Sequence, residues 1–192
     1  RTNLSYLGDR SNHEKRANSS RVSRRFRIYQ ILSQVDLTVA KEVRQVLKGT
    51  SDNLSDSAFS LLRGFTFHSD NGGLEKFSDK HIFVQYLMSY ATKKQTQRAR
   101  ISDKPAPAAL SIPDDGCHYD ERELRTLTVR EMARIQSFPD NFEFRSKVTT
   151  GGKMRRFEVP QYTQVGNAVP PLLCYALGLS IKCLLNKQNS NE

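Results

Sequence analysis

The sequence has no run of about 18 consecutive apolar residues, the length a helix needs to cross a bilayer, so no membrane partner is expected. No signal-peptide pattern opens it. Cysteine is scarce. Cys117, Cys174 and Cys183 are odd in number and widely spaced, which excludes a disulfide framework and a zinc pattern, and no metal site is expected. Cys174 and Cys183 fall in an apolar C-terminal segment and read as core residues. A reducing, cytoplasmic setting fits this usage. There is no internal repeat. The first residue is Arg1 rather than Met, as expected of part of a longer chain or of a processed product.

What is present suits a globular domain with a strongly basic surface. The chain has 192 residues, 37% hydrophobic and 26% charged, with a formal net charge of +10. The pI of about 9.7 points to an anionic partner. A ribosomal or membrane-surface protein would share that balance, so charge alone does not name the class.

The first half reads as a helical scaffold. A helix is predicted over Ser20–Gln34, with Val22, Phe26, Tyr29 and Leu32 on one stripe and Arg21, Arg24, Arg25 and Arg27 on the rest. That basic face suits phosphates or solvent equally. Further helices are predicted over Thr38–Lys48, stopped by Gly49, over Leu54–Arg63, and over Ser78–Thr92 with Ile82, Phe83, Tyr86, Leu87 and Tyr90 inward. Asn71-Gly72-Gly73 is a turn. A lone His13 in a polar loop reads as solvated. No chemistry is legible in these segments.

Two later segments are concentrated in cations. Lys93, Lys94, Arg98, Arg100 and Lys104 stand against one acid, Asp103. Arg145, Lys147, Lys153, Arg155 and Arg156 stand against none, around a flexible Thr149-Thr150-Gly151-Gly152 centre. Both can neutralise phosphates, and glycine lets the second approach a duplex closely. Between them, Ala108–Ile112 is short, apolar and flanked by prolines, and is predicted as a strand.

The most specific stretch runs from Arg122 to Pro171. Thr128-Val129-Arg130-Glu131 is a Thr-x-x-Glu capping box. It predicts a helix to about Ser137, with Val129, Met132 and Ala133 apolar and Arg130 and Arg134 as a basic edge. Pro139 ends it. Gln164-Val165-Gly166-Asn167 then predicts a tight turn. Pro171 opens an apolar helix through Leu185.

LTVREMARIQSFPD followed by QYTQVGNAVPP resembles, in order, the last two conserved motifs of DNA cytosine-5 methyltransferases. KPAPAALSIPDD and NHEKR resemble pieces of that family's target-recognition region. The resemblance implies a mixed α and β, helix-rich fold. Residues 1–163 would form a small target-recognition domain, including the capped helix near 128–137. Residues 164–192 would be a turn and helix belonging to a missing Rossmann-like methyltransferase domain. It implies double-stranded DNA as partner and S-adenosylmethionine as methyl donor, with Asn167, Ala168 and Val169 touching the donor. DNA contacts are expected from Lys93, Lys94, Arg98, Arg100, Lys104, Lys147, Lys153, Arg155 and Arg156.

Catalysis in this family needs a thiolate that attacks cytosine C6, supplied by a Pro-Cys motif. Here Cys117 follows Gly116, Cys174 follows Leu173 and Cys183 follows Lys182. No Gly-x-Gly turn for the donor is present either. No catalytic residue is therefore expected in this chain, which would act with an N-terminal catalytic domain or a catalytic partner chain. A separate DNA-binding subunit and a non-enzymatic basic DNA-binding protein remain as alternatives.

Overall fold

The computed structural model describes residues 11–94, 97–108, 116–149, 154 and 157–189. It is mixed α and β and rich in helix, as expected. The chain divides into two compact units. The first comprises the described parts of Arg1–Lys15, Ala106–Pro113 and Leu127–Glu192; the second those of Arg16–Pro105 and Asp114–Thr126. Each has its own apolar core.

The second unit is built on α1 (Ser20–Leu32), capped by the Ser19 side chain. From Arg25 to Leu32 every residue of α1 is buried, so this helix is central rather than peripheral. Arg21, Arg24 and Arg27 are tethers and Arg25 is buried, which corrects the expectation of a free basic face. Arg24 pairs with Asp70 at 2.7 Å and Arg27 with Glu121 at 3.0 Å. The Arg21 guanidinium donates to the Ser89 carbonyl.

α2 (Leu37–Lys48) buries Val39, Ala40, Val43, Val46 and Leu47 and ends at Gly49, whose φ of 76° is left-handed. α3 (Asp56–Leu62) starts at a Ser55 cap. β1 (Phe67–His68) and β2 (Leu74–Glu75) form a hairpin whose turn holds Gly72 at φ 82°. α4 (Lys80–Ser89) is capped by Asp79 and buries Phe83, Val84 and Leu87. Ile82 is exposed, contrary to expectation, because the buried stripe runs through 83, 84, 87 and 90 and leaves it to one side. Phe67, Phe77, Phe83 and Tyr86 pack with ring centroids 4.8–6.2 Å apart. Each such pair adds about 0.5–1.5 kcal/mol beyond area burial. β3 (Arg98–Ala99) pairs in parallel with β4 (Gly116–Cys117). The strand expected over Ala108–Ile112 falls mostly on residues 109–115, outside the described ones. No Rossmann-like sheet is present among the described residues; both sheets are two-stranded.

The first unit is organised by α5 (Val129–Ile135). The capping box is present in full. Thr128 Oγ1 accepts from the Glu131 amide at 3.2 Å, and the Glu131 carboxylate accepts from the Thr128 amide at 2.8 Å. His13, read as solvated, places Nδ1 2.9 Å from Thr128 Oγ1 and so joins the cap. Arg130 is not part of a basic edge. It is wholly buried and reaches the carbonyls of Ser11, Pro139 and Phe142. Asn12, at φ 67°, closes the arrangement: its side chain exchanges two hydrogen bonds with the Phe144 backbone, at 2.8 and 2.9 Å.

α6 (Gln161–Asn167) and α7 (Pro171–Asn189) follow. Tyr162 is buried and donates to the Leu127 carbonyl at 2.6 Å, which fixes α6 on α5. α7 exposes Leu172, Leu173, Tyr175, Leu177, Leu179, Ile181, Leu184 and Leu185, each by half or more. Cys174 and Cys183 are exposed as well, not core residues in this chain. The stretch Gln161–Lys187 is long and apolar enough to cross a membrane by length and composition, an 18-residue window in it having mean hydropathy 1.7. The same features mark a core helix that has lost its partner.

Candidate nucleic-acid interface

Along α2, Lys41, Arg44 and Lys48 recur at i, i+3 and i+7, opposite the buried Val39, Val43, Val46 and Leu47. This spacing forces three cations onto one stripe. The stripe faces Arg98 and Lys104 across an open cleft of about 810 Å³ within the second unit. Tyr29, Leu32, Ala40 and Ile101 supply apolar lining, and Asp36 is the single acid in its wall.

Arg44 is the best fixed of these cations. Its guanidinium lies 5.7 Å from the Tyr29 ring centroid and donates to the Gln97 carbonyl at 3.2 Å. Burial, and then the neighbouring Arg98 charge, push its pKa down. Burial likewise raises the Tyr29 phenol. Among the described residues Lys41, Arg44, Lys48, Arg98 and Lys104 form no ion pair, whereas Arg24, Arg27, Lys80, Arg122, Arg125, Arg134 and Lys147 each do. Positive charge left uncompensated in a concave surface draws anions to it.

The expected DNA contacts separate in space. Arg98 and Lys104 line the cleft. Lys94 borders a smaller hollow beside it with Tyr29, Arg44, Leu47 and Thr92, and Lys93 is exposed. Arg100 is half-buried, its guanidinium laid over Gly116 so closely that a β-carbon there would stand 2.9 Å from Nη2. Lys147 belongs to the first unit and pairs with Glu158 at 3.1 Å. Lys153, Arg155 and Arg156 lie outside the described residues. Lys41, Arg44 and Lys48 were missed because α2 read as scaffold. Their i, i+3, i+7 spacing was the available signal.

Asn167, Ala168 and Val169 sit where α6 gives way to α7. The tight turn expected at Gly166-Asn167 is replaced by the last turn of α6, and neither residue has positive φ. The chain changes direction at Ala168, which is extended at φ −75°, ψ 145°, ahead of Pro170-Pro171. Leu172 N donates to Ser137 Oγ at 3.1 Å, which ties the start of α7 to the end of α5. Asn167 and Val169 are exposed and Ala168 is half-buried, so they form an open edge rather than a pocket.

Residues 5–183 match the family model described as C-5 cytosine-specific DNA methylase. The chain belongs to the C-5 cytosine-specific DNA methylase family. Among relatives, the type II methyltransferase M.Bpa9945I of Bacillus paralicheniformis is 42% identical over 85 residues, 43% of this chain and 17% of that protein. The putative type II methyltransferase M.OihORF3336P of Oceanobacillus iheyensis is 34% identical over 138 residues, 68% of this chain and 28% of that protein. The type II methyltransferase M.DdeI of Desulfomicrobium norvegicum is 55% identical over 77 residues, 38% of this chain and 17% of that protein. The chain thus spans between 17% and 28% of the length of these methylases. No solved structure matches it.

Proposed function

We propose that the chain is the C-terminal part of a DNA (cytosine-5-)-methyltransferase of a restriction–modification system, working in the cytoplasm. Its task is to hold duplex DNA while a catalytic domain supplies the nucleophile. The observation that carries this reading is the cleft of five unpaired cations within a family member that has no Pro-Cys. In this reading residues 1–163 serve recognition, with the cleft as their anionic contact. Residues 164–192 dock on the catalytic domain through α7, whose apolar faces are exposed here.

S-adenosylmethionine would supply the methyl group when bound to the complete enzyme. Asn167, Ala168 and Val169 fit one edge of such a site, because an exposed Asn and the extended backbone of Ala168 stand at the α6–α7 junction. The remaining walls would come from the catalytic domain. The target cytosine has to leave the stack for the reaction. A module that grips phosphates on either side supports that extrusion without touching the reacting atoms. The exposed α7 also suits a separate subunit whose catalytic partner binds in trans.

The test is a salt series with the isolated chain and duplex DNA, alongside incubation with labelled S-adenosylmethionine. Binding is expected to weaken steeply with salt, as counterion release requires, with no methyl incorporation. A flat salt dependence, or methylation of cytosine by this chain alone, would overturn the proposal.

A further inference from the structure

We infer that α2 is a phosphate-tracking helix, with Lys41, Arg44 and Lys48 lining one wall of the cleft and Arg98 and Lys104 completing it around a DNA backbone. This inference rests on the proposed DNA role and extends it to an element that no basic segment of the sequence marks.

Three observations converge on it. First, the stripe is directional. Lys41 and Lys48 are seven residues apart, about 10 Å along the helix axis, so the stripe is long enough to meet more than one phosphate of a strand. Second, Arg44 is pre-positioned. Its stacking over Tyr29 and its bond to the Gln97 carbonyl fix the guanidinium before any ligand arrives, so little freedom is lost on binding. Third, the wall of the cleft is cationic: Lys41, Arg44, Lys48, Arg98 and Lys104 line it against the single acid Asp36.

The five cations also repel one another within one concavity, and a phosphate backbone relieves that repulsion. Contacts of this kind set position and register and carry no base information. α2 would therefore hold any duplex with the same grip, leaving sequence choice to other parts of the recognition region.

The experiment uses the full chain and the double variant Lys41→Gln, Lys48→Gln. Both side chains are exposed and glutamine is a good helix former, so the fold is retained. Lys76→Gln, exposed in the same unit but off the cleft, is the control. Binding is measured over a salt series on two unrelated duplexes, and inorganic tripolyphosphate is titrated separately. Two lost phosphate contacts lower the slope of log K against log salt by about 1.8. Affinity should fall by the same factor on both duplexes, with the control unchanged. A double variant with the wild-type slope overturns the inference while leaving the DNA role intact. Loss of tripolyphosphate binding with an unchanged duplex slope overturns it too, and assigns the cleft to a free polyphosphate. If the wild-type chain binds no duplex, the DNA role and this inference fall together.

Discussion

Replacing Arg130 by methionine should damage the first unit far more than its place in a basic sequence segment suggests. The substitution keeps an unbranched stem of similar length and removes every donor. The guanidinium reaches the carbonyls of Phe142 at 2.5 Å and of Ser11 and Pro139 at 3.2 Å, with longer contacts at 3.4 Å to Asn12 Oδ1 and Ser11 Oγ. Hydrogen bonds from a charged donor contribute about 1.5–3 kcal/mol each. Pro139 and Phe142 sit in an exposed loop, and their carbonyls recover water in part. The net loss should be about 3 kcal/mol, at the lower end of what breaking a buried charged network costs. With a urea slope of about 2 kcal/mol/M, that moves the midpoint by about 1.5 M. Amide exchange at Phe144, whose N–H donates to Asn12 Oδ1 at 2.9 Å, reports the unit directly. Arg130→Lys should recover only part of the loss, since one ammonium cannot span carbonyls from three residues. A cost below about 0.5 kcal/mol, typical of a surface side chain, would refute the buried-network account.

Thr128→Ala should cost about 1 kcal/mol through the lost cap, read as a lower denaturation midpoint, with the freed His13 simply solvated. Native-state alkylation should label Cys174 and Cys183, which are exposed, and spare Cys117. Burial pushes the Cys117 thiol up to about 12. The unfolded thiol titrates near about 8.5, so its contribution to stability is complete below that pH and is lost as pH rises toward about 12. A thermal midpoint that holds from neutrality to about pH 8.5 and then falls is expected, and Cys117→Ala should flatten that fall.

Local chemistry along the chain was enough to determine the helices other than α6, where a turn was expected. The Thr128–Glu131 box, the left-handed Gly49 and the apolar stripe of α7 act within a turn or two, so spacing and residue type decide them. The family could also be read from the order of two motifs. What the sequence could not settle was the fate of each charge. Arg25, Arg27 and Arg130 look like surface cations in one dimension and are buried, because other parts of the chain, some near and some far in sequence, supply the covering surface. Glu121 pairs with Arg27, and Ser11, Asn12, Pro139 and Phe142 surround Arg130. Conversely, three of the cations that stay free belong to no charge run. Lys41, Arg44 and Lys48 are gathered with Arg98 and Lys104 only when α2 and β3 meet around Tyr29. Helix formation responds to neighbours three or four residues away. The electrostatic role of a side chain depends also on partners far along the chain, 119 residues away for Ser11 and Arg130, and only the tertiary structure brings these within a few ångströms.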